Sequence, residues 1–384
     1  MTRAVIVDAV RSPMGKGKIG GGLSHLHPAD LLGQVLRQLA DRSSLDAGLL
    51  DDVIIGCVGG NGEQSGTPGR QAVLSAGFPA HVPSVTVERK CGSGQQALDF
   101  AVQGVVAGAY DIAIAGGVES MSRVPIGSAR GEADPFGEGV RERFPVLVPQ
   151  GVAAELVAQK WNISRSELDE YSARSHERAS AVDFSGEIVP VGGLEADETI
   201  RTGTTAEKLG GLKAVFGTDE RRAQFPDLDW TVTAGNASQI TDGAAALLVM
   251  SEERASQLGL RPRARIVASA VIGDDPLLML TGPIPATEKV LKKAGLTLAD
   301  ISAFEVNEAF ASVPLAWAKE LGVEQDVLNP VGGAIALGHP LGASGARIMT
   351  TLINHLERTG GRYGLQTMCE AGGMANATII EILK

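Results

Sequence analysis

The chain has 384 residues, 44% hydrophobic and 21% charged, the balance of a globular protein with more material than one ordinary core buries. Its net charge of −11 argues against nucleic acid as a bulk partner, and its three cysteines are too few for a disulfide framework. No apolar run reaches the roughly 20 residues that cross a bilayer, and neither end shows a targeting signal, so a cytoplasmic protein without a membrane span is expected.

Along the chain, Ala4 to Ala9 and Val53 to Val58 are short β-rich runs. Between them, Pro28 to Asp41 places Leu31, Leu32, Val35, Leu36 and Leu39 at helical spacing. Val85 to Val87 predicts a strand, Gly94 to Ala107 a buried helix and Asp111 to Ala115 a buried strand. This rhythm predicts an α/β domain with a mainly parallel core. From Gly116 the chain turns richer in charge, Gly and Pro, and reads as an inserted loop domain. It holds one clear surface helix, with Ser164 as N-cap and Glu167 completing a capping box. The α/β rhythm resumes at Ala244. The expected division is 1–115 for the first half, 116–243 for the insertion, 244–268 for completion of the first half and 269–384 for the second. VERKCGSGQQAL followed by DIAIAGGVES has a faint counterpart in GGAIALGHPLGASGAR followed by LQTMCEAGGMANATII, which suggests two related halves.

Four residues stand where chemistry is possible. Cys91 sits in VERKCGSGQQAL at a strand-to-helix junction, where unpaired N–H groups and the helix dipole favour a thiolate. Read alone, it could equally be a small buried cysteine. His339 lies between Gly338 and Pro340, a setting that fixes its backbone and predicts an exposed side chain, suited to a general base or an oxyanion donor. A turn histidine is the plainer alternative. Cys369 ends an apolar strand before Gly372 and Gly373, and a thiol near its reference pKa of about 8.5 can take and give a proton there. Asn307, in EVNEAFAS, is either a helix N-cap or an amide that fixes a water or the histidine. Glu308 either bonds within the same site or favours the helix start. Ser238, in TAGNASQITDGAAA, is a ligand contact or part of a plain loop. No spacing of His, Cys or carboxylates fits a metal site.

Taken together, these segments resemble the thiolase family along the whole chain. VERKCGSGQQAL resembles the nucleophile motif, AGGVESMSR the second signature and TAGNASQITDGAAA the CoA-contacting segment. VNEAFA, GHPLGASGAR and MCEAGGM resemble the remaining catalytic motifs, in family order. The resemblance implies a five-layered αβαβα fold of two similar halves with a loop domain inserted in the first. It implies that Cys91 is acylated, that His339 activates it and binds the thioester oxygen, and that Cys369 is the acid/base at the α-carbon and the CoA thiol. Asn307 would hold a water in that oxyanion site, and the backbone N–H groups of Cys91 and Ala371 would form a second one. Ser238, Ala309 and Phe310 would lie along the pantetheine and Arg201 near the CoA nucleotide. The implied activity is thiolytic cleavage of a 3-ketoacyl-CoA by CoA, giving acetyl-CoA or propionyl-CoA and a shortened acyl-CoA, in fatty-acid or steroid degradation. An acetoacetyl-CoA-forming thiolase, or a non-catalytic acyl-CoA carrier, is the alternative. CoA and acyl-CoA thioesters are then the partners, no further cofactor is required, and a homodimer or homotetramer is expected. Two departures stand out: Ala371 occupies a position where the family has Gly, and Pro149-Gln150 replaces a His-Met pair.

Overall fold

The computed structural model describes residues 2–383. In the first half, β1 (Ala4–Arg11) leads through the short β2 (Gly15–Lys16) to α1 (Pro28–Arg42). Then come β3 (Asp52–Gly56), α2 (Pro68–Ser75), β4 (Ser84–Val87), α3 (Ser93–Ala107) and β5 (Ile112–Ser120). An excursion carrying α4 (Glu138–Arg143), α5 (Gln150–Lys160), α6 (Arg165–Ser180), α7 (Ala206–Gly210) and α8 (Asp219–Gln224) separates β5 from β6 (Thr241–Ser251) and α9 (Glu252–Gln257). The second half runs β7 (Ala264–Gly273), α10 (Pro283–Ala294), β8 (Ala303–Val306), α11 (Ser312–Leu321) and α12 (Ala334–Leu337). It ends with α13 (Leu341–Thr359), β9 (Tyr363–Glu370) and β10 (Met374–Ile382).

The strand order reveals the duplication. The first half pairs as β4-β3-β5-β6-β1 and the second as β8-β9-β10-β7, and the two sheets touch at one pair, Ile6 with Ala264. With the short β2 left aside and the bridge at Leu328 counted as the second half's third strand, each half follows the same rule: its second strand lies beside its fourth, the fifth is antiparallel, and the first lies at the seam. The third strand of the second half shrinks to a single parallel bridge, Phe304 with Leu328.

Burial explains the layering. β5 and β6 are buried at every position, as strands covered on both faces must be. One face packs on the apolar stripe of α1 and on α2. The other meets α3 and α13, which form a central layer shared by both halves. On the far side, α10 and α11 cover the second sheet. The five layers are therefore α, β, α, β, α. The two central helices come together through backbone: a Cβ on Gly345 would meet the Gln95 nitrogen at 2.2 Å.

Three of the expected boundaries fall inside strands. β5 continues past residue 116 to Ser120, and β6 begins at Thr241 rather than after residue 243. The division at 268/269 cuts β7, which pairs continuously with β10 from Ala264 onward. Glycine and small residues within AGGVES and TDGAAA made strand look like loop. The capping box on α6 is present as expected.

Candidate active site

Cys91 follows β4 on a tight loop. Lys90 has φ +47, a left-handed conformation uncommon for a side chain of its size, and Gly92 is the N-cap of α3. The thiol therefore sits two residues ahead of the first helical residue, buried against Leu341, Ile348 and Met368. The expectation of a thiolate favoured by the helix terminus is corrected here. Burial first, and the nearby Glu370 second, push the Cys91 thiol up to about 12. The thiol is therefore protonated at neutral pH.

His339 occupies the same offset from α13, two residues before Leu341. Gly338 has φ +85, and a Cβ there would meet Thr241 Oγ1 at 2.2 Å. The His339 backbone N–H points at Thr241 Oγ1 and at Gln239 O, each at 3.1 Å. His339 is only 4% exposed, where the sequence predicts an exposed side chain. Its tautomer follows from its partner. Ser344 Oγ donates to Pro340 O at 2.8 Å, so it accepts from His339 Nδ1 at 2.6 Å, which puts the proton on Nδ1 and leaves Nε2 basic. Burial, helped by the Arg347 cation, pulls the imidazole down to about 3. At neutral pH the ring is uncharged.

Asn307 reaches that basic nitrogen, with Nδ2 3.4 Å from Nε2. It is not an N-cap, because α11 starts only at Ser312 with Ala311 as its cap. Its Oδ1 is buried with no hydrogen-bond partner among the described residues, so the amide has an acceptor to spare for a bound group. Cys369, the penultimate residue of β9, is buried, and its thiol lies well above the ordinary range. Burial is the main cause, followed by charge on Cys91 and on Glu370. The two thiols thus lie within electrostatic reach of each other, and neither titrates near 8.5.

Ala371 directly follows β9. The left-handed residues of this turn are Gly372 (φ +92) and Gly373 (φ +75), and Ala371 keeps a negative φ. Alanine at that position therefore costs no backbone strain. The excursion packs against the second half here. Residues 236–238 run beside 309–311: Ser238 N–H donates to Ala309 O at 3.0 Å, Ala311 N–H to Asn236 O at 2.9 Å, and Ala237 bridges Phe310. Phe310 packs edge-on to Phe216 at 6.0 Å. Arg201 is exposed and donates to Gln239 Oε1 at 3.0 Å, next to Ser238. Glu308 turns away from the reactive groups. It accepts from Tyr171, Ser175, Asn329 and the Ile335 N–H, tying α6 to the segment beneath His339.

Sequence reasoning missed several supporting residues. Ser344, Arg347 and Thr241 hold or bias His339, and Glu119 accepts from the N–H groups of Val58, Gly59 and Gly342. A serine and an arginine among the small and apolar residues that open α13 are the available signal for the first two.

Comparison with known proteins identifies the family. Residues 4–253 match the thiolase N-terminal domain family and residues 260–382 the thiolase C-terminal domain family. The chain is 46% identical to a steroid 3-ketoacyl-CoA thiolase of Mycobacterium tuberculosis, over 100% of this chain and 95% of that protein. It is 44% identical to a 3-ketoacyl-CoA thiolase of Klebsiella pneumoniae, over 99% of this chain and 100% of that protein. The crystal structure of the Bacillus anthracis acetyl-CoA acetyltransferase superposes with a TM-score of 0.88 at 37% identity, covering 100% of this chain and 99% of that one.

Proposed function

Because the chain belongs to the thiolase family, we propose that it is an acyltransferase that cleaves 3-ketoacyl-CoA with CoA, in fatty-acid or steroid degradation. The observation that carries this reading is a neutral imidazole anchored at Nδ1 and met by an amide at Nε2, in a chain whose two buried thiols lie within electrostatic reach of each other. That set fits a reaction that must split a carbon–carbon bond and store an acyl group.

Cys91 gives its proton to a base, His339 Nε2 in this reading, and its sulfur attacks the C3 ketone. Asn307 and His339 stabilise the thioester oxygen, on which charge develops as the enolate forms. The C2–C3 bond then breaks. Cys369 gives a proton to the departing acetyl-CoA enolate, or propionyl-CoA enolate, and the acyl group remains on Cys91 as a thioester. In the second half-reaction Cys369 takes the proton of the incoming CoA thiol, whose sulfur attacks the thioester and frees Cys91. The N–H groups of Cys91 and Ala371 serve the second oxyanion, and Ser238, Ala309, Phe310 and Arg201 line the path of CoA. CoA enters as a substrate rather than a resident cofactor, and the reaction is assigned to the cytoplasm.

The working unit is a homodimer or homotetramer. Support comes from β4, an edge strand on which Val85 is exposed, with Leu74 of α2 and Phe100 of α3 also exposed in the same half. Among the described residues no helix is long and apolar enough to cross a membrane.

Thiolysis rates across 3-ketoacyl-CoAs, from acetoacetyl to long-chain and ring-bearing, test the reading. CoA-dependent cleavage of at least one longer substrate faster than acetoacetyl-CoA is expected. Absence of cleavage across the series would overturn it.

A further inference from the structure

Glu370 is the last residue of β9, next to Cys369, yet the reaction above leaves it unused. Its side chain is fully buried, and neither carboxyl oxygen has a hydrogen-bond partner among the described residues. It presses on the nucleophile loop: a Cβ built on Gly92 would meet Glu370 Oε1 at 1.9 Å. Asn376 of β10 secures the same loop by donating to Gly92 O at 3.1 Å. The first half offers a contrast. Glu119, one residue from the end of β5, reaches the N-terminus of α13 and is saturated with backbone N–H donors. Glu370 reaches the N-terminus of α3 and receives none.

We propose that Glu370 is a positioning residue for both reactive thiols: seated as a neutral carboxylic acid beneath Gly92, it supports the nucleophile loop, and its ionisation withdraws Cys91 and Cys369 from reaction. The charge balance around it follows from the page. Arg89 is the cation that acts on it, Lys90 is a cation acting on Cys91, Glu119 is a second carboxylate acting on Cys91, and Asn376 is the polar group facing it from β10. A buried carboxylate without donors is costly, which favours the protonated form. Burial raises its pKa to about 8, within working range. When it loses its proton, its charge pushes both thiols further up.

This inference rests on the assignment of Cys91 as nucleophile, and its test reads the thiol rather than turnover. Wild-type enzyme and Glu370→Gln are alkylated with iodoacetamide from pH 6.5 to 9.5, and Cys91 labelling is followed by peptide mapping. A thiol titrating above this range is labelled about tenfold faster per pH unit. The wild type should fall clearly short of that slope between pH 7.5 and 8.5. E370Q should restore it, and at pH 9 should be labelled on the order of tenfold faster than wild type. An uninterrupted tenfold-per-unit rise in the wild type overturns the proposal, as do superimposable curves. The wild-type curve decides alone if E370Q does not fold. Failure here leaves thiolysis intact, whereas failure of the thiolase reading appears in the substrate series.

Discussion

In the first half the loop ahead of α3 carries Cys91 two residues before the helix, and in the second the loop ahead of α13 carries His339 at the same offset. The two helices lie side by side in the central layer, with Gly94 and Gly342 in backbone contact. One duplicated unit has therefore placed a thiol and an imidazole at equivalent helix termini. The means of support differ. Cys91 is held by apolar packing and a strained Lys90, whereas His339 is held at its backbone N–H and at Nδ1 by specific hydrogen bonds. In the proposed reaction the first half contributes the nucleophilic sulfur, and the second contributes the groups that manage protons.

Breaking the first half's contribution should have the largest effect. Cys91→Ser should lower thiolysis by about a thousandfold or more while calorimetry still registers CoA binding. A variant within tenfold of wild type would show that the two helix termini do not divide the work in this way.

Removing the second half's support should cost less. Ser344→Ala leaves a buried Nδ1–H without its acceptor, a penalty of about 1–3 kcal/mol. Steady-state kinetics should show kcat down by roughly ten- to a hundredfold with little change in KM. An equal loss in CoA affinity would instead mean that the serine shapes the pocket.

The depressed imidazole makes a prediction with a definite sign. Its folded pKa of about 3 lies below the unfolded value of about 6.5, so the unfolded chain binds more protons between those pH values. Stability contributed by neutral His339 is complete above pH 6.5 and is lost as pH falls, by up to about 1.4 kcal/mol per unit. His339→Gln lacks this term, so its Tm deficit relative to wild type should be smaller at pH 5 than at pH 7.5. A deficit that grows on acidification contradicts the buried neutral base.

The smallest effect should lie between excursion and second half. Tyr171 donates to Glu308 at 2.9 Å and accepts from Asn329 Nδ2 at 2.8 Å. Tyr171→Phe should cost about 1–3 kcal/mol in denaturant unfolding, with kcat/KM within about threefold of wild type because the hydroxyl touches no reactive group.

Much of this was legible in the sequence. The segments around Cys91, Asn307, His339 and Cys369 identified the family and its fold, because each pairs a reactive side chain with glycines at an element's end. The capping box on α6 and the stripe on α1 were equally plain. Environment was not legible. A histidine between glycine and proline reads as exposed, and only packing of distant segments buries it. Cys91 reads as activated by a helix terminus, but desolvation and Glu370, brought from the other half, outweigh that effect. Asn307 keeps helix-cap chemistry in sequence, and only the delayed start of α11 frees its amide for His339. Strand ends rich in glycine and alanine, such as AGGVES, hid the true edges of the insertion.

The central claim is that Cys91 carries the acyl group and Cys369 manages the proton that lets CoA remove it. Intact-mass spectrometry of Cys369→Ala incubated with an acyl-CoA tests it most directly. The account predicts a stable gain of one acyl group, mapped to Cys91. A folded variant with no adduct, or one mapped elsewhere, would contradict it.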